Sequence, residues 1–354
     1  MLYYLSELLR FNLLTYITVR SGAAFCLAFI LTLWLMPRFI VWAKRQGATQ
    51  PILSHAPLSH KSKQNTPTMG GLIFIVCAIV ATLIAGNLNN GFVWIGLLTL
   101  TLFASIGVFD DAKKIFHKKN DAGLTAKFKF IAQIIAALIV AVLLFCATNL
   151  STHLYVPFLK EPIADLGIYM QFIWVLVLVS ASNAVNLTDG LDGLAAVPSI
   201  FAIATLAVFL YITGHAIISE SLLMPRLVGV GEMVVLASAL LGGLLGFLWY
   251  NANPAEVFMG DSGSLAIGAF IGYAAILAKV EALLLLIGFI FVVETISVIL
   301  QVGSYKFRGQ RIFLMAPLHH HFELKRWAEN KIIVRFWIVA LLSNILALIT
   351  IKIR

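Results

Sequence analysis

The chain has 354 residues, of which 61% are hydrophobic and only 12% charged, with a formal net charge of +9 at neutral pH and a mean hydropathy of +0.97. Soluble domains carry about 25% charged residues, and no core absorbs this much apolar surface, so a soluble globular protein is excluded. An all-α polytopic membrane protein is expected instead.

The opening MLYYLSELLRFNLLTYITVR carries Glu7 and Arg10 where a signal peptide needs an unbroken apolar stretch, so residues 1–20 are expected to form an interfacial leader helix. A span needs about 20 mainly apolar residues. Ten segments qualify: 21–43, 70–86, 92–109, 128–148, 169–185, 193–214, 231–250, 262–279, 281–303 and 335–352. The connecting loops then alternate between two sides. Loops 44–69, 110–127, 186–192, 251–261 and 304–334, with their adjoining span ends, hold 18 of the 25 Lys and Arg. Both termini and the loops near 87–91, 149–168, 215–230 and 280 hold the other seven. By the positive-inside rule the first side is cytoplasmic and both termini are periplasmic. On the periplasmic side, HLYVPFL between polar turns suggests a short β-hairpin. Cys26, Cys77 and Cys146 lie singly in apolar runs without CxxC spacing and read as packing residues. No repeat or linker divides the chain, so residues 1–354 are expected to form a single membrane domain.

Ionisable residues beside lipid are costly and usually functional, which singles out five aspartates. Asp110 and Asp111 (GVFDDAKK) end the third span, Asp189 and Asp192 (NAVNLTDGLDGLA) follow the fifth, and Asp261 (VFMGDSGSL) precedes the eighth. All five fall on the cation-rich side, beside Lys61 and Lys63, Lys113, Lys114, Lys118 and Lys119, Lys127 and Lys129, and the histidines His319–His321 of APLHHHFE. Taken singly, an Asp pair at a helix end is a solvated turn, TDGLDG is turn chemistry, and the lysines enforce topology. Converging on one face, they point to a divalent cation with phosphate: Mg²⁺ is held by one or two carboxylates plus substrate phosphates, and lysines neutralise the remaining oxygens. Glu294, inside the ninth span, is either a structural polar contact or a shaper of the site.

TPTMGG, DDAKK, NAVNLTDGLDGLA, FMGDSGSL and QRIFLMAPLHHHFEL occur in this order, and together they resemble the signature segments of the phospho-N-acetylmuramoyl-pentapeptide-transferase family. Within the wider superfamily of polyprenyl-phosphate sugar-1-phosphate transferases, the tri-histidine APLHHHFEL is similar to that branch. Ala112, where the family commonly has an aromatic residue, is a minor departure. The resemblance implies a bacterial inner-membrane enzyme that transfers phospho-N-acetylmuramoyl-pentapeptide from its UDP-linked donor to undecaprenyl phosphate, forming lipid I and UMP with Mg²⁺. It also implies membrane lipids and a homodimer as partners, and no nucleic acid.

Carried over motif by motif, the resemblance makes Asp261 the metal ligand and Asp110, Asp111, Asp261 and Lys114 catalytic. It puts Asn186, Asp189 and Asp192 in the nucleotide pocket, with Phe258 stacking on uracil. Lys63, Thr68, Lys118, Lys129, Gln301 and His320 would surround the substrates, with Lys127 the alternative to Lys129, while His319 and His321 shape their loop. Direct attack by the lipid phosphate is favoured over a covalent intermediate on Asp110, because a phosphomonoester has its second pKa near about 6 and is largely dianionic at neutral pH. The rival readings are a sister transferase using UDP-N-acetylglucosamine and an ion-coupled transporter. A transporter would put its carboxylates near the bilayer midplane within inverted repeats.

Overall fold

The computed structural model describes residues 2–4, 12–48, 66–117, 123–159 and 161–352. All ten apolar segments are helical: α1 (Ile17–Arg45), α2 (Gly70–Ala85), α3 (Gly91–His117), α4 (Ala126–Ala147), α5 (Met170–Thr188), α6 (Ala196–Gly214), α8 (Met233–Asn251), α9 (Gly260–Ala278), α11 (Phe289–Arg308) and α13 (Glu329–Ile349). Short helices α7 (Ala216–Ser221), α10 (Leu284–Ile287) and α12 (Leu318–Leu324) lie between them. Among the described residues nine helices are long and apolar enough to cross a membrane, so the protein is a multi-pass membrane protein. The tenth, α2, has 16 residues and rises only about 24 Å, less than a hydrocarbon core of roughly 30 Å. The expected hairpin is present as β1 (His153–Leu154) paired antiparallel with β2 (Ala164–Asp165), on the face opposite the aspartates.

Two boundaries differ from expectation. The first span begins at Ile17, so Arg20 lies in its first turn and not in a leader; residues 1 and 5–11 of the expected leader are outside the described residues. The ninth span, expected from residue 281, begins at Phe289. Two antiparallel spans cannot meet without chain for the reversal. Lys279 ends α9 in the left-handed conformation, α10 forms a single turn, and Gly288 breaks it before α11.

Helix α9 organises the bundle. It packs on α2, α3, α5 and α6, and every side chain from Ser262 to Ala278 is buried. Lipid supplies little drive for helices to associate, so close packing through small residues carries more of the burden than in water. Gly71 and Gly263 show this contact: a Cβ on Gly71 would fall 2.3 Å from the Gly263 Cα.

Far from the aspartates, Arg20 anchors α1 to Glu232, the residue that leads into α8. Its guanidinium is 1% exposed and donates from Nη1 and Nη2 to the two carboxylate oxygens of Glu232, both at 2.7 Å. Removing one partner of a buried pair strands the other charge and costs about 3 kcal/mol or more. Arg20→Met is therefore expected to lower the thermal unfolding midpoint in detergent while leaving the kcat of the folded fraction unchanged. A midpoint equal to that of the parent would show the pair to be dispensable.

Candidate active site

Three helix ends meet at one face. In α3 the last apolar turn runs into Asp110, Asp111 and Lys114; α9 opens with Gly260 and Asp261; α4 brings Lys129 in its first turn, started by Thr125, whose hydroxyl accepts from Phe128 N at 3.3 Å. Gly107 permits the meeting, since a Cβ there would lie 2.2 Å from the Asp261 carbonyl oxygen. Gly260 adopts φ +73°, and a Cβ on it would fall 2.6 Å from an Asp111 carboxylate oxygen. That left-handed turn is one a side chain would strain.

One oxygen from each of Asp110, Asp111 and Asp261 lies within 4.8 Å of the others. Asp261 is the hub. Its Oδ2 receives Lys114 Nζ at 2.9 Å and Lys129 Nζ at 2.8 Å, and its Oδ1 receives Asn186 Nδ2 at 2.7 Å. Asp111 accepts the Asp261 and Ser262 backbone N–H groups at 3.2 and 3.1 Å, capping the positive end of α9. Both oxygens of Asp110 are engaged, one by Lys114 Nζ at 2.5 Å and the other by Leu124 N at 2.7 Å. An all-carboxylate oxygen set suits a hard divalent cation and not a soft one.

The flanking segments are tied to this hub. Phe258 N donates to Pro67 O at 2.8 Å and Gly70 N to Phe258 O at 2.9 Å, so the TPTMGG segment is stitched alongside VFMGD. Thr68 is buried there, and Phe258 is partly exposed. Asp189 stands at the end of α5, whereas buried Asp192 turns away and accepts from Asn253 Nδ2 at 2.9 Å and Ala255 N at 3.1 Å. Gln301 spends its amide on the loop beyond α11, donating to Phe313 O and accepting from Ile312 N and Phe313 N. His320 Nδ1 lies 2.6 Å from Glu323 Oε2. Of the two candidate lysines, Lys129 reaches Asp261, and Lys127 is exposed. Lys63 and Lys118, with Lys61 and Lys119, lie outside the described residues.

Some supports escaped the sequence reading. Asn251 holds the TDGLDG loop by accepting Gly193 N at 2.9 Å, and Gln133 and Asn183 pair between α4 and α5 at 2.6 Å. Amide side chains within apolar runs were the signal for both.

Burial, together with the charges of Asp261, Asp111 and Asp192, pushes the Asp189 carboxyl up to about 8. An unfolded-chain carboxyl titrates near about 3.9. Between those values the folded protein holds a proton that the unfolded chain has lost, so stability falls as pH rises and levels off above pH 8. In metal-free protein, Asp189→Asn is expected to shrink the drop in thermal midpoint between pH 5 and pH 8. An unchanged drop would place the Asp189 pKa near its ordinary value.

A model of glycosyl transferase family 4 matches residues 93–279, and one for phospho-N-acetylmuramoyl-pentapeptide-transferase signature 1 matches residues 63–75. Curated relatives named phospho-N-acetylmuramoyl-pentapeptide-transferase align over the full length of both chains. They are 57% identical in Nitratiruptor sp., 59% in Sulfurimonas denitrificans and 57% in Campylobacter jejuni (strain RM1221). The chain belongs to the phospho-N-acetylmuramoyl-pentapeptide-transferase family. The family-4 match takes in Asp110, Asp111, Lys114, Lys129, Asn186, Asp189, Asp192, Phe258 and Asp261, whereas Gln301 and His320 lie outside both matched stretches.

Proposed function

We propose that this chain transfers phospho-N-acetylmuramoyl-pentapeptide from the UDP-linked donor to undecaprenyl phosphate, producing lipid I and UMP at the cytoplasmic face of the bacterial inner membrane. The observation that carries the proposal is the Asp110–Asp111–Asp261 cluster with Lys114 and Lys129 at the helix ends. Such a site meets a lipid phosphate held at the membrane surface and a polyanionic donor arriving from water. The donor would also be drawn by the net charge of +9.

Asp261, with Asp110 and Asp111, would hold Mg²⁺. The ion would supply charge neutralisation at the transferring phosphate. The chain's own residues do the rest. Lys114 and Lys129, now on Asp261, are placed to receive phosphate oxygens as negative charge develops. An oxygen of the lipid phosphate forms a bond to the sugar-linked phosphorus, and the bond to the bridging oxygen breaks, leaving its electron pair on UMP. Asp110 has both oxygens committed to Lys114 and Leu124 N, which favours a positioning role over nucleophilic attack. Asn186, Asp189 and Phe258 frame the nucleotide, with Asp192 bracing their loop from behind. On the resemblance, Lys63, Thr68, Lys118, Gln301 and His320 would surround the substrates. The resemblance further implies a homodimer.

The test is UMP release from purified protein with Mg²⁺ and polyprenyl phosphate. Rapid release is expected with UDP-N-acetylmuramoyl-pentapeptide and none with UDP-N-acetylglucosamine. The opposite preference would move the chain to the sister transferases.

A further inference from the structure

Glu294 sits fully buried on α11, inside a span, where a carboxylate needs hydrogen-bond donors to be tolerated. It finds them outside its own helix. Leu318 N donates to Oε2 at 2.6 Å and His319 N to Oε1 at 3.2 Å, and these are the first two backbone N–H groups of α12, the helix bearing the three histidines. His319 Nδ1 lies 3.3 Å from the same Oε1. On its other edge, His319 presses on the TDGLDG loop: a Cβ on Gly190 would fall 2.2 Å from His319 Nε2. The ring is 1% exposed, and burial lowers its pKa, so it stands as a neutral wedge. Its centroid lies 4.2 Å from that of His320.

These contacts form one line, from α11 through His319 to Gly190, the neighbour of Asp189. We propose that Glu294 is a positioning residue for donor binding, fixing His319 against Gly190 and thereby setting the loop that carries Asp189. The carboxylate touches no substrate and acts through the histidine. Gln at this position keeps the volume but offers a single acceptor oxygen to two backbone N–H donors, so one donor is orphaned and α12 loosens. The inference rests on the nucleotide reading of the TDGLDG loop.

The experiment is isothermal titration of UDP-N-acetylmuramoyl-pentapeptide into detergent-solubilised protein with Mg²⁺ and no lipid acceptor. Glu294→Gln is expected to weaken binding roughly tenfold at full stoichiometry, the size expected when one buried donor loses its partner. A merely structural role would lower the bound stoichiometry and leave the Kd of the folded fraction unchanged, and that result would overturn the proposal. A second pair of variants tests the wedge without touching Glu294. Gly190→Ala should weaken binding in the parent and far less in a His319→Ala background, where the methyl group has room. Additive effects would overturn the proposal even if Glu294→Gln failed to fold. Asp189→Asn separates the two layers: if it binds donor normally, the nucleotide reading fails. If it weakens binding while Glu294→Gln does not, only the positioning role fails.

Discussion

Asp261→Asn is expected to reduce turnover by about a thousandfold or more, the scale on which preorganised charge acts in a closed site, and to abolish the dependence of the residual rate on Mg²⁺. The reason lies in how much converges on that one carboxylate. It gathers Lys114, Lys129 and Asn186, and it lies within reach of Asp110 and Asp111. The amide matches the side chain in size, yet it removes the charge that two ammonium groups share and leaves a neutral carbonyl oxygen where one of three carboxylates stood. Both lysines would then lose their charged common anchor, and the proposed Mg²⁺ site one of its three carboxylates. The measurement is UMP release across a Mg²⁺ titration, with size-exclusion behaviour and the thermal midpoint confirming a folded protein. Near-normal turnover by a folded variant would remove Asp261 from the chemistry.

Gly107→Ala should cost about a hundredfold in kcat, although it adds a single methyl group to a residue with no functional side chain. That methyl would meet the Asp261 carbonyl oxygen at 2.2 Å, its carbon at 2.3 Å and Ser262 N at 2.4 Å. All three are backbone atoms, so no rotamer change relieves the clash and α3 must retreat from α9. Overpacking of this kind costs about 1–3 kcal/mol of stability. The larger effect is geometric, because Asp110 and Asp111 ride on α3 one turn further along. Retreat would stretch the Asp111 hydrogen bonds to Asp261 N and Ser262 N and spread the three carboxylates, and a displacement near 1 Å costs on the order of 10²-fold in rate. Gly22→Ala on α1, where nothing lies within 4 Å of the added methyl, is the control and should retain parental kcat. Equal rates for the two variants would show that the α3–α9 approach tolerates slack.

Both predictions turn on features that differ in how readable they are. The aspartates announce themselves, because carboxylates beside apolar runs are expensive and therefore informative. Gly107 does not, since a glycine within GVFDD looks like any small residue in a span. Arg20 looks like one more cation at a helix end, and only Glu232, 212 residues away, makes it an anchor. Asp192 shares its motif with Asp189 but faces the Asn253–Ala255 turn, a direction set by the loop backbone. Lys127 and Lys129 differ by helix phase: the N-terminus of α4, capped at Thr125, turns Lys129 toward Asp261 and leaves Lys127 outward.

Hydropathy and charge are sums along short windows of chain, so the ten helical segments could be read from residue order, and with them the acids Asp110, Asp111 and Asp261 that meet Lys114 and Lys129. Which oxygens meet is a different kind of quantity. It depends on how far each helix is rotated and how closely two backbones approach, and those are settled where Gly107 and Gly71 lie against the first turn of α9. Residues more than a hundred positions apart come within hydrogen-bond distance only through that packing, which no local pattern in the chain encodes.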